Sequence, residues 1–167
     1  ARTLHNEKRF FHWDLEFPEV FVDLRGRNWN ENGGFDAVVG NPPYFSISLL
    51  SEIDRKYLLK QYERIFSGNS DILYYFLGRG FDIVKERGRV SYILARYFME
   101  AHFASGLRRF ILEYGYPETI LDFGNYQVFK GANVLTNILV CLKTSIHENY
   151  KVKVIKIANE NAAYGKG

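Results

Sequence analysis

A short apolar run that stops at two consecutive prolines constrains the fold of this 167-residue chain more than any other feature. The run Phe35–Gly40 follows Gly33-Gly34 and has the sequence FDAVVG, which is typical of a buried β-strand. Asn41-Pro42-Pro43 comes next, and two prolines cannot continue a hydrogen-bonded ladder because neither has a backbone N–H. The strand is therefore predicted to end at residue 40, with a stiff turn directly after it.

Helix and strand patterns alternate along the rest of the chain, which predicts an α/β fold with a mainly parallel sheet. Ser51 precedes a helical pattern whose apolar face carries Ile53, Tyr57, Leu58, Tyr62, Ile65 and Phe66. Ser70 is the predicted N-cap of the next helix, and a third helix ends at Gly115. Further strands are predicted over residues 89–94, 119–123, 134–142 and 151–154, the last as an edge strand.

The composition excludes several classes of protein. The single cysteine, Cys141, cannot form an internal disulfide, and four histidines without ligand spacing do not predict a metal site. No apolar run approaches the roughly 20 residues that cross a bilayer, so no membrane association and a cytoplasmic location are expected. The net charge of +3 is compatible with a polyanion partner without requiring one.

Asn41-Pro42-Pro43-Tyr44 has the chemistry of a binding cradle, and in a parallel sheet the carboxyl ends of the strands carry the ligand sites. The prolines stiffen the backbone, while the Asn41 side chain and the Pro42 carbonyl both offer acceptors. Tyr44 adds a flat aromatic face. Such a cradle suits an exocyclic amino group on a planar base.

The tetrapeptide resembles motif IV of the amino-group methyltransferases that use S-adenosylmethionine. The leader FHWDLEFPEVF, residues 11–21, and the segment GGFDAVVGNPPY, residues 33–44, resemble one branch in particular. This branch contains the adenine-specific DNA methyltransferases of restriction-modification systems, the Eco57I-like or type IIG group. Segments 71–77, 88–98, 120–124 and 128–140 are similar, in order, to motifs V to VIII of these enzymes.

The resemblance implies a partial Rossmann-like methyltransferase fold with an antiparallel strand near the C-terminus. It also implies methyl transfer from S-adenosylmethionine to N6 of an adenine flipped out of double-stranded DNA, without a metal. Asn41, Pro42, Pro43 and Tyr44 would form the catalytic cradle. Tyr44 and Phe129 would contact the two sides of the base, and Phe76 and Asn41 would contact the cofactor. Arg55, Lys56, Arg96 and Lys130 are weaker candidates for contacts with DNA phosphates.

The sequence departs from the family pattern because it has no glycine-rich motif I and no acidic residue placed to hold the cofactor ribose. Residues 1–145 are therefore interpreted as the C-terminal portion of a catalytic domain, and residues 146–167 as an edge strand and linker toward a target-recognition domain. The isolated chain is expected to be inactive, to require the upstream and downstream parts of a parent protein, and to self-associate through the unpaired edge of the 35–40 strand.

Two alternatives remain open at the level of sequence. Enzymes that methylate a glutamine side chain or an amino group of RNA also carry Asn-Pro-Pro-Tyr, so the tetrapeptide alone does not identify the acceptor. A non-catalytic fragment that contributes only an interaction surface is also compatible with the missing motif I.

Overall fold

The computed structural model describes residues 11–66, 68, 70–129, 134–145 and 149–157, which form one α/β unit around a five-stranded sheet. Before the sheet come two short helices, α1 (Trp13–Glu16) and α2 (Pro18–Phe21), and a two-stranded hairpin, β1 (Val22–Asp23) with β2 (Asn28–Trp29). Rings of the leader pack around Phe35 at the start of the sheet, with centroid distances of 5.4–5.6 Å from Trp13, Phe17 and Phe21.

The sheet contains β3 (Phe35–Gly40), β4 (Val84–Ala95), β5 (Gly115–Asp122), β6 (Thr136–Lys143) and β7 (Lys153–Lys156) in the spatial order β3-β4-β6-β5-β7. β3 pairs with β4 and β5 pairs with β7 in parallel, whereas β6 is antiparallel to both of its neighbours. Four strands thus point the same way and one is reversed. The strand predicted as an edge, now β7, pairs with β5 alone in the described structure.

Three longer helices connect the strands: α3 (Glu52–Gln61), α4 (Ile72–Ile83) and α5 (Ser105–Tyr114). α4 contacts β4 and α5 contacts β5 on one face of the sheet. Val90, Tyr92 and Leu94 point to that face and are buried, whereas the alternating Ser91 and Ile93 are only partly buried. The core therefore lies between the sheet and one layer of helices.

Two local expectations were wrong, the second only in part. Asp71, not Ser70, caps α4, because the extended backbone at Asp71 lets its side chain accept a hydrogen bond from the Leu73 N–H. The predicted apolar face of α3 is a core face only in part: the helix ends at Gln61, and Ile53 and Tyr57 are 70% and 65% exposed. Its periodic pattern is real, but no described element packs over that part of it. Leu58 and Tyr62 do pack against the core, and Ile65, beyond the helix end, is fully buried.

No helix among the described residues is both long and apolar enough to cross a membrane. Within the same residues, no group of three or more His, Cys, Asp or Glu side chains is placed to hold a metal ion.

Candidate active site at the carboxyl ends of the strands

The Asn-Pro-Pro-Tyr tetrapeptide lies where β3 ends, beside the parallel strand β4. Gly40 is in register with Tyr92 of β4, and a Cβ at Gly40 would lie 3.0 Å from a carbon of the Tyr92 ring. The strand therefore ends in close contact with that ring, and the chain then leaves the sheet. Pro42 is buried, whereas Asn41 is exposed.

Tyr44 ties this turn to the end of β4. Its Oη lies 2.9 Å from Asn41 Oδ1 and 2.9 Å from the Ile93 carbonyl oxygen. One hydroxyl has one proton and can donate to only one of these acceptors at a time. When it donates to Ile93, a rotated Asn41 amide can donate from Nδ2 to Tyr44 Oη, which leaves Asn41 Oδ1 available as an acceptor.

Burial raises the pKa of Tyr44 to about 12, with a further contribution from the negative charge of Asp71. The phenol therefore stays protonated at neutral pH and remains a hydrogen-bond donor. Its ring is half-buried and close to the exposed Asn41 side chain.

Asp71 lies at the N-terminus of α4 and is only 8% exposed. Its carboxylate accepts hydrogen bonds from the Leu73 N–H at 3.1 Å and from the Tyr97 hydroxyl. Desolvation is the largest influence on its pKa, which is raised above the usual value although these hydrogen bonds act in the opposite direction. Sequence reasoning did not select Asp71 or Tyr97; an acidic residue directly before a clear helical pattern was the one local signal available.

The ends of β4 and β5 are joined by a partly buried ion pair. Arg96 Nε donates to Asp122 Oδ1 at 3.1 Å, and the Gly124 N–H donates to the same oxygen at 2.9 Å. Asp122 is buried. This ion pair belongs to the sheet end, so Arg96, one of the weaker DNA-contact candidates, already has a carboxylate partner.

A family model described as Eco57I restriction-modification methylase matches residues 1–129. The chain belongs to this family. The resemblance drawn from the tetrapeptide and the segments around it is thereby confirmed.

Relatives of this Eco57I-family chain are much longer than the chain itself. The type II restriction enzyme and methyltransferase RM.Eco57I from Escherichia coli is 31% identical over 128 residues, which cover 75% of this chain and 13% of that protein. The chain spans 13% to 24% of the length of the curated relatives it matches.

Solved structures confirm the expected fold class. A protein described as a class I S-adenosylmethionine-dependent methyltransferase from Listeria monocytogenes has a TM-score of 0.62 at 16% identity, over 79% of this chain and 40% of that one. The type IIG restriction endonuclease BpuSI has a TM-score of 0.57 at 20% identity, over 76% of this chain and 15% of that one. At these identities the likeness establishes the fold alone.

Phe76 of the Eco57I-family chain lies on α4 and is 44% exposed, so it is not a core residue. It borders a groove of about 410 Å³ between the leader, α3 and α4. The groove is rich in aromatic side chains, and no carboxylate lines it among the described residues: the lining residues are Phe11, His12, Trp13, Tyr57, Leu58, Gln61, Tyr62, Ile72, Tyr75, Phe76 and Arg79.

Phe129 is half-buried in the connection from β5 to β6. Because β5 runs parallel to β3 and β4 in the sheet, this connection begins at the same end as the tetrapeptide. No ring contact joins Phe129 to Tyr44 in the described structure, so the proposed two-sided contact with a base stays a prediction.

Two of the basic candidates lie on α3. Lys56 pairs with Glu52 at 2.7 Å on the exposed side of the helix, and Arg55 is partly buried. Lys130 falls outside the described residues. Neither Arg55 nor Lys56 has a position that singles out a phosphate contact.

Proposed function

We propose that this chain carries the acceptor half of the active site of a site-specific DNA methyltransferase. The parent enzyme transfers a methyl group from S-adenosylmethionine to N6 of an adenine flipped out of double-stranded DNA. The observation that carries the proposal is the Asn41-Pro42-Pro43-Tyr44 turn at the carboxyl end of β3, with an exposed Asn41 amide beside an aromatic ring. Family membership favours DNA over a glutamine side chain or RNA as the acceptor. A cytoplasmic location is part of the same proposal.

The chemistry follows from the acceptors in the cradle. The N6 lone pair of adenine is delocalised into the ring, so N6 is a weak nucleophile. The Asn41 Oδ1 atom and the Pro42 carbonyl would each accept one N6–H, which favours a tetrahedral nitrogen with a localised lone pair. Pro43 keeps the two acceptors in fixed relation because its ring restricts the preceding residue.

The Tyr44 hydroxyl has a defined part in this scheme. Asn41 Oδ1 is available to the base when Tyr44 donates to the Ile93 carbonyl instead. The Tyr44 ring would stack on the flipped base, and Phe129 would contact its other side. Base–aromatic stacking contributes about 1–3 kcal/mol per base in proteins that bind single strands.

The described residues fit part of the cofactor. S-adenosylmethionine supplies a methyl group on a sulfonium centre. The exposed Phe76 ring and the aromatic groove beside it suit the flat purine, but none of the described residues that line the groove offers a carboxylate to the ribose hydroxyls. The sequence also lacks the glycine-rich turn of motif I. We therefore expect the isolated chain to be inactive and to bind the cofactor weakly.

Product analysis of the full-length protein tests the acceptor. The protein is incubated with plasmid DNA and S-adenosylmethionine, the DNA is digested to nucleosides, and the methylated nucleoside is identified by mass spectrometry. N6-methyladenine is expected. Methylated cytosine, or methylation of RNA or protein but not of DNA, would overturn the proposal.

Calorimetric titration of S-adenosylmethionine into the 167-residue chain tests whether this chain holds only part of the cofactor site. No detectable heat is expected because the groove near Phe76 covers only one part of the cofactor. Binding at micromolar concentration would show that the pocket is largely present, contrary to the proposal.

The isolated chain is also expected to self-associate through β3, and the two edges of the sheet explain why. The β3 edge has the sequence FDAVVG, and its Val39 is 78% exposed. The β7 edge, KVIK, carries lysines, which discourage pairing with another strand. Val39→Lys should therefore abolish self-association, whereas the matched change Val154→Lys on β7 should not. A wild-type chain that sediments as a monomer at all concentrations would contradict this expectation.

A further inference from the structure

A buried carboxylate lies where three segments of the site meet, and the scheme above does not use it. Asp71 caps α4 and accepts a hydrogen bond from Tyr97, which follows β4. The same residue forms an isolated β-bridge with Ser46, two positions after Tyr44. Asp71 therefore connects the helix, the end of β4 and the segment that leaves the cradle.

Backbone hydrogen bonds on both sides of Asp71 tighten this connection. The Ile72 N–H donates to the Phe45 carbonyl at 2.9 Å, and the Ile47 N–H donates to the Ser70 carbonyl at 3.1 Å. Phe45 directly follows Tyr44 in the chain. The downstream end of the cradle is thus fixed to the N-terminus of α4, while the Tyr44 hydroxyl fixes the ring to β4.

The carboxylate is arranged to be charged. Its hydrogen-bond partners, the Leu73 N–H and the Tyr97 hydroxyl, both donate to it, and α4 directs the positive end of its dipole toward it. No Lys or Arg forms an ion pair with Asp71 in the described parts of the chain. Among the described residues, no neighbouring cation therefore neutralises the negative charge.

This charge costs stability. Desolvation raises the pKa of Asp71 above its unfolded value, so the neutral form is the one that folding favours. The contribution of Asp71 to folding is therefore most favourable at low pH and is lost as pH rises through the folded pKa. An asparagine would cap the helix as well as an aspartate and would avoid the cost of burying a charge.

We infer that Asp71 is a positioning residue for methyl transfer, holding Tyr97 and the Tyr44 cradle in place and lending a negative potential to the base site. The inference rests on the proposed function. In that reaction the N6 lone pair forms the N–C bond, and the C–S bonding pair goes to sulfur. N6 becomes positively charged until it releases a proton to solvent. A buried negative charge behind the cradle stabilises that positive charge.

Asp71→Asn in the full-length enzyme tests the negative charge by itself, because the substitution removes the charge and keeps the size of the side chain. The variant keeps an N-cap and a hydrogen bond to Tyr97 in which the amide donates. We expect kcat to fall about tenfold, KM for DNA and for S-adenosylmethionine to stay within about twofold, and Tm at pH 7 to stay the same or rise. Asp36→Asn is the matched control, because Asp36 is an exposed aspartate on β3, and its kcat should not change.

The outcomes distinguish three cases. A wild-type enzyme that does not methylate DNA adenine would end the proposed function itself. An active wild type with an equally active Asp71→Asn variant would overturn the inference alone. If activity is lost together with a clear fall in Tm, the pH profile of Tyr97→Phe described next decides the inference.

A pH profile gives a second, independent readout with Tyr97→Phe. The titratable groups that face Asp71 are Tyr97 after β4, Tyr44 in the cradle and Tyr74 on α4, with the cation Arg108 of α5 acting on Tyr74. The pKa of each of these tyrosines is raised, so none titrates in the acid range. The Tyr97 hydrogen bond is the main influence that lowers the pKa of Asp71.

Removing the Tyr97 hydroxyl should therefore move the acid limb of the kcat profile to higher pH. An unchanged acid limb in a folded, active Tyr97→Phe enzyme would overturn the role of an ionised Asp71. This readout remains available if Asp71→Asn does not fold.

Discussion

Charged side chains at the two ends of the sheet differ in burial. At the amino ends of the parallel strands, Lys85 pairs with Asp36 at 2.5 Å and Arg89 pairs with Glu118 at 2.7 Å, with most of these side chains well exposed. At the carboxyl ends, Asp71 and Asp122 are both buried. Exposed ion pairs thus lie at one end of the sheet and buried carboxylates at the other.

This difference in burial indicates which end contributes to function and which to stability. Exposed ion pairs contribute little to folding, commonly about 0–1 kcal/mol, and can be exchanged without large effects. Buried carboxylates require donors in fixed positions, and here these donors come from the elements that surround Asn41 and Tyr44. The carboxyl end is therefore where substitutions should change function more than stability, and the amino end is where they should do the reverse.

Asn41→Ala should have the largest effect on function. It removes one of the two proposed acceptors for N6, so DNA methylation by the full-length enzyme should fall at least about 100-fold. Tm should hardly change because Asn41 is exposed. Asn125→Ala, an exposed asparagine after β5, is the control and should keep its activity. Wild-type rates in the Asn41 variant would remove the tetrapeptide from the mechanism.

Substitutions of Tyr44 should have a smaller effect on function, and two variants separate the contribution of the ring from that of the hydroxyl. Tyr44→Ala should weaken binding of a flipped base by about 1–3 kcal/mol, because it removes the stacking face. Tyr44→Phe keeps the face and loses only the ties to Asn41 and Ile93, so its affinity should lie between those of wild type and Tyr44→Ala. Titration of DNA with 2-aminopurine at the target position measures both. Equal losses in the two variants would argue against stacking.

Lys143 should show the reverse pattern, with an effect on stability and none on chemistry. Its Nζ is half-buried and donates to the Phe81 and Val84 carbonyls, which close the C-terminus of α4 at the amino end of the sheet. Lys143→Met leaves both carbonyls without this donor and should cost about 1–3 kcal/mol of stability. Thermal unfolding of the full-length enzyme measures the loss. A fall in kcat at a temperature where the variant is folded would contradict the prediction that substitutions at the amino end affect stability and not function.

The Arg89–Glu118 pair should have the smallest effect. Hydrogen bonds from Arg89 lower the pKa of Glu118. The pair therefore stabilises the fold fully above the unfolded pKa of this carboxyl, and the stabilisation is lost as pH falls through the lower, folded pKa. Glu118→Gln should therefore lower the free energy of unfolding at pH 7 by less than about 1 kcal/mol, with a correspondingly small fall in Tm. The gap from wild type should close as pH falls below the folded pKa of Glu118. A gap that persists in acid would mean that packing, rather than charge, is lost.

The parts of the fold that could be predicted from the sequence are those with local causes. Two prolines after an apolar run end β3 at Gly40, and apolar periodicity identifies α4. The burial of α3 could not be predicted, because its pattern does not reveal whether another element covers Ile53 and Tyr57. The N-cap of α4 could not be predicted to the exact residue, because Ser70 and Asp71 both suit that position.

The candidate site divides in the same way. The position of Asn41-Pro42-Pro43-Tyr44 follows from β3 alone, so the sequence sufficed to locate it. The Asp71–Tyr97 and Arg96–Asp122 contacts each join residues 26 positions apart. They depend on which strands become neighbours, and that information is not present in any single segment.

The position of β6 affects how the domain is made. β6 follows β5 in the chain but lies between β4 and β5 in the sheet, so these two strands share no hydrogen bonds. During synthesis, the strands up to residue 122 are complete before the segment that joins them, Thr136–Lys143, has emerged from the ribosome. Folding of the sheet must therefore wait for its centre, and until then β4 and β5 expose edges to which other chains or chaperones can bind.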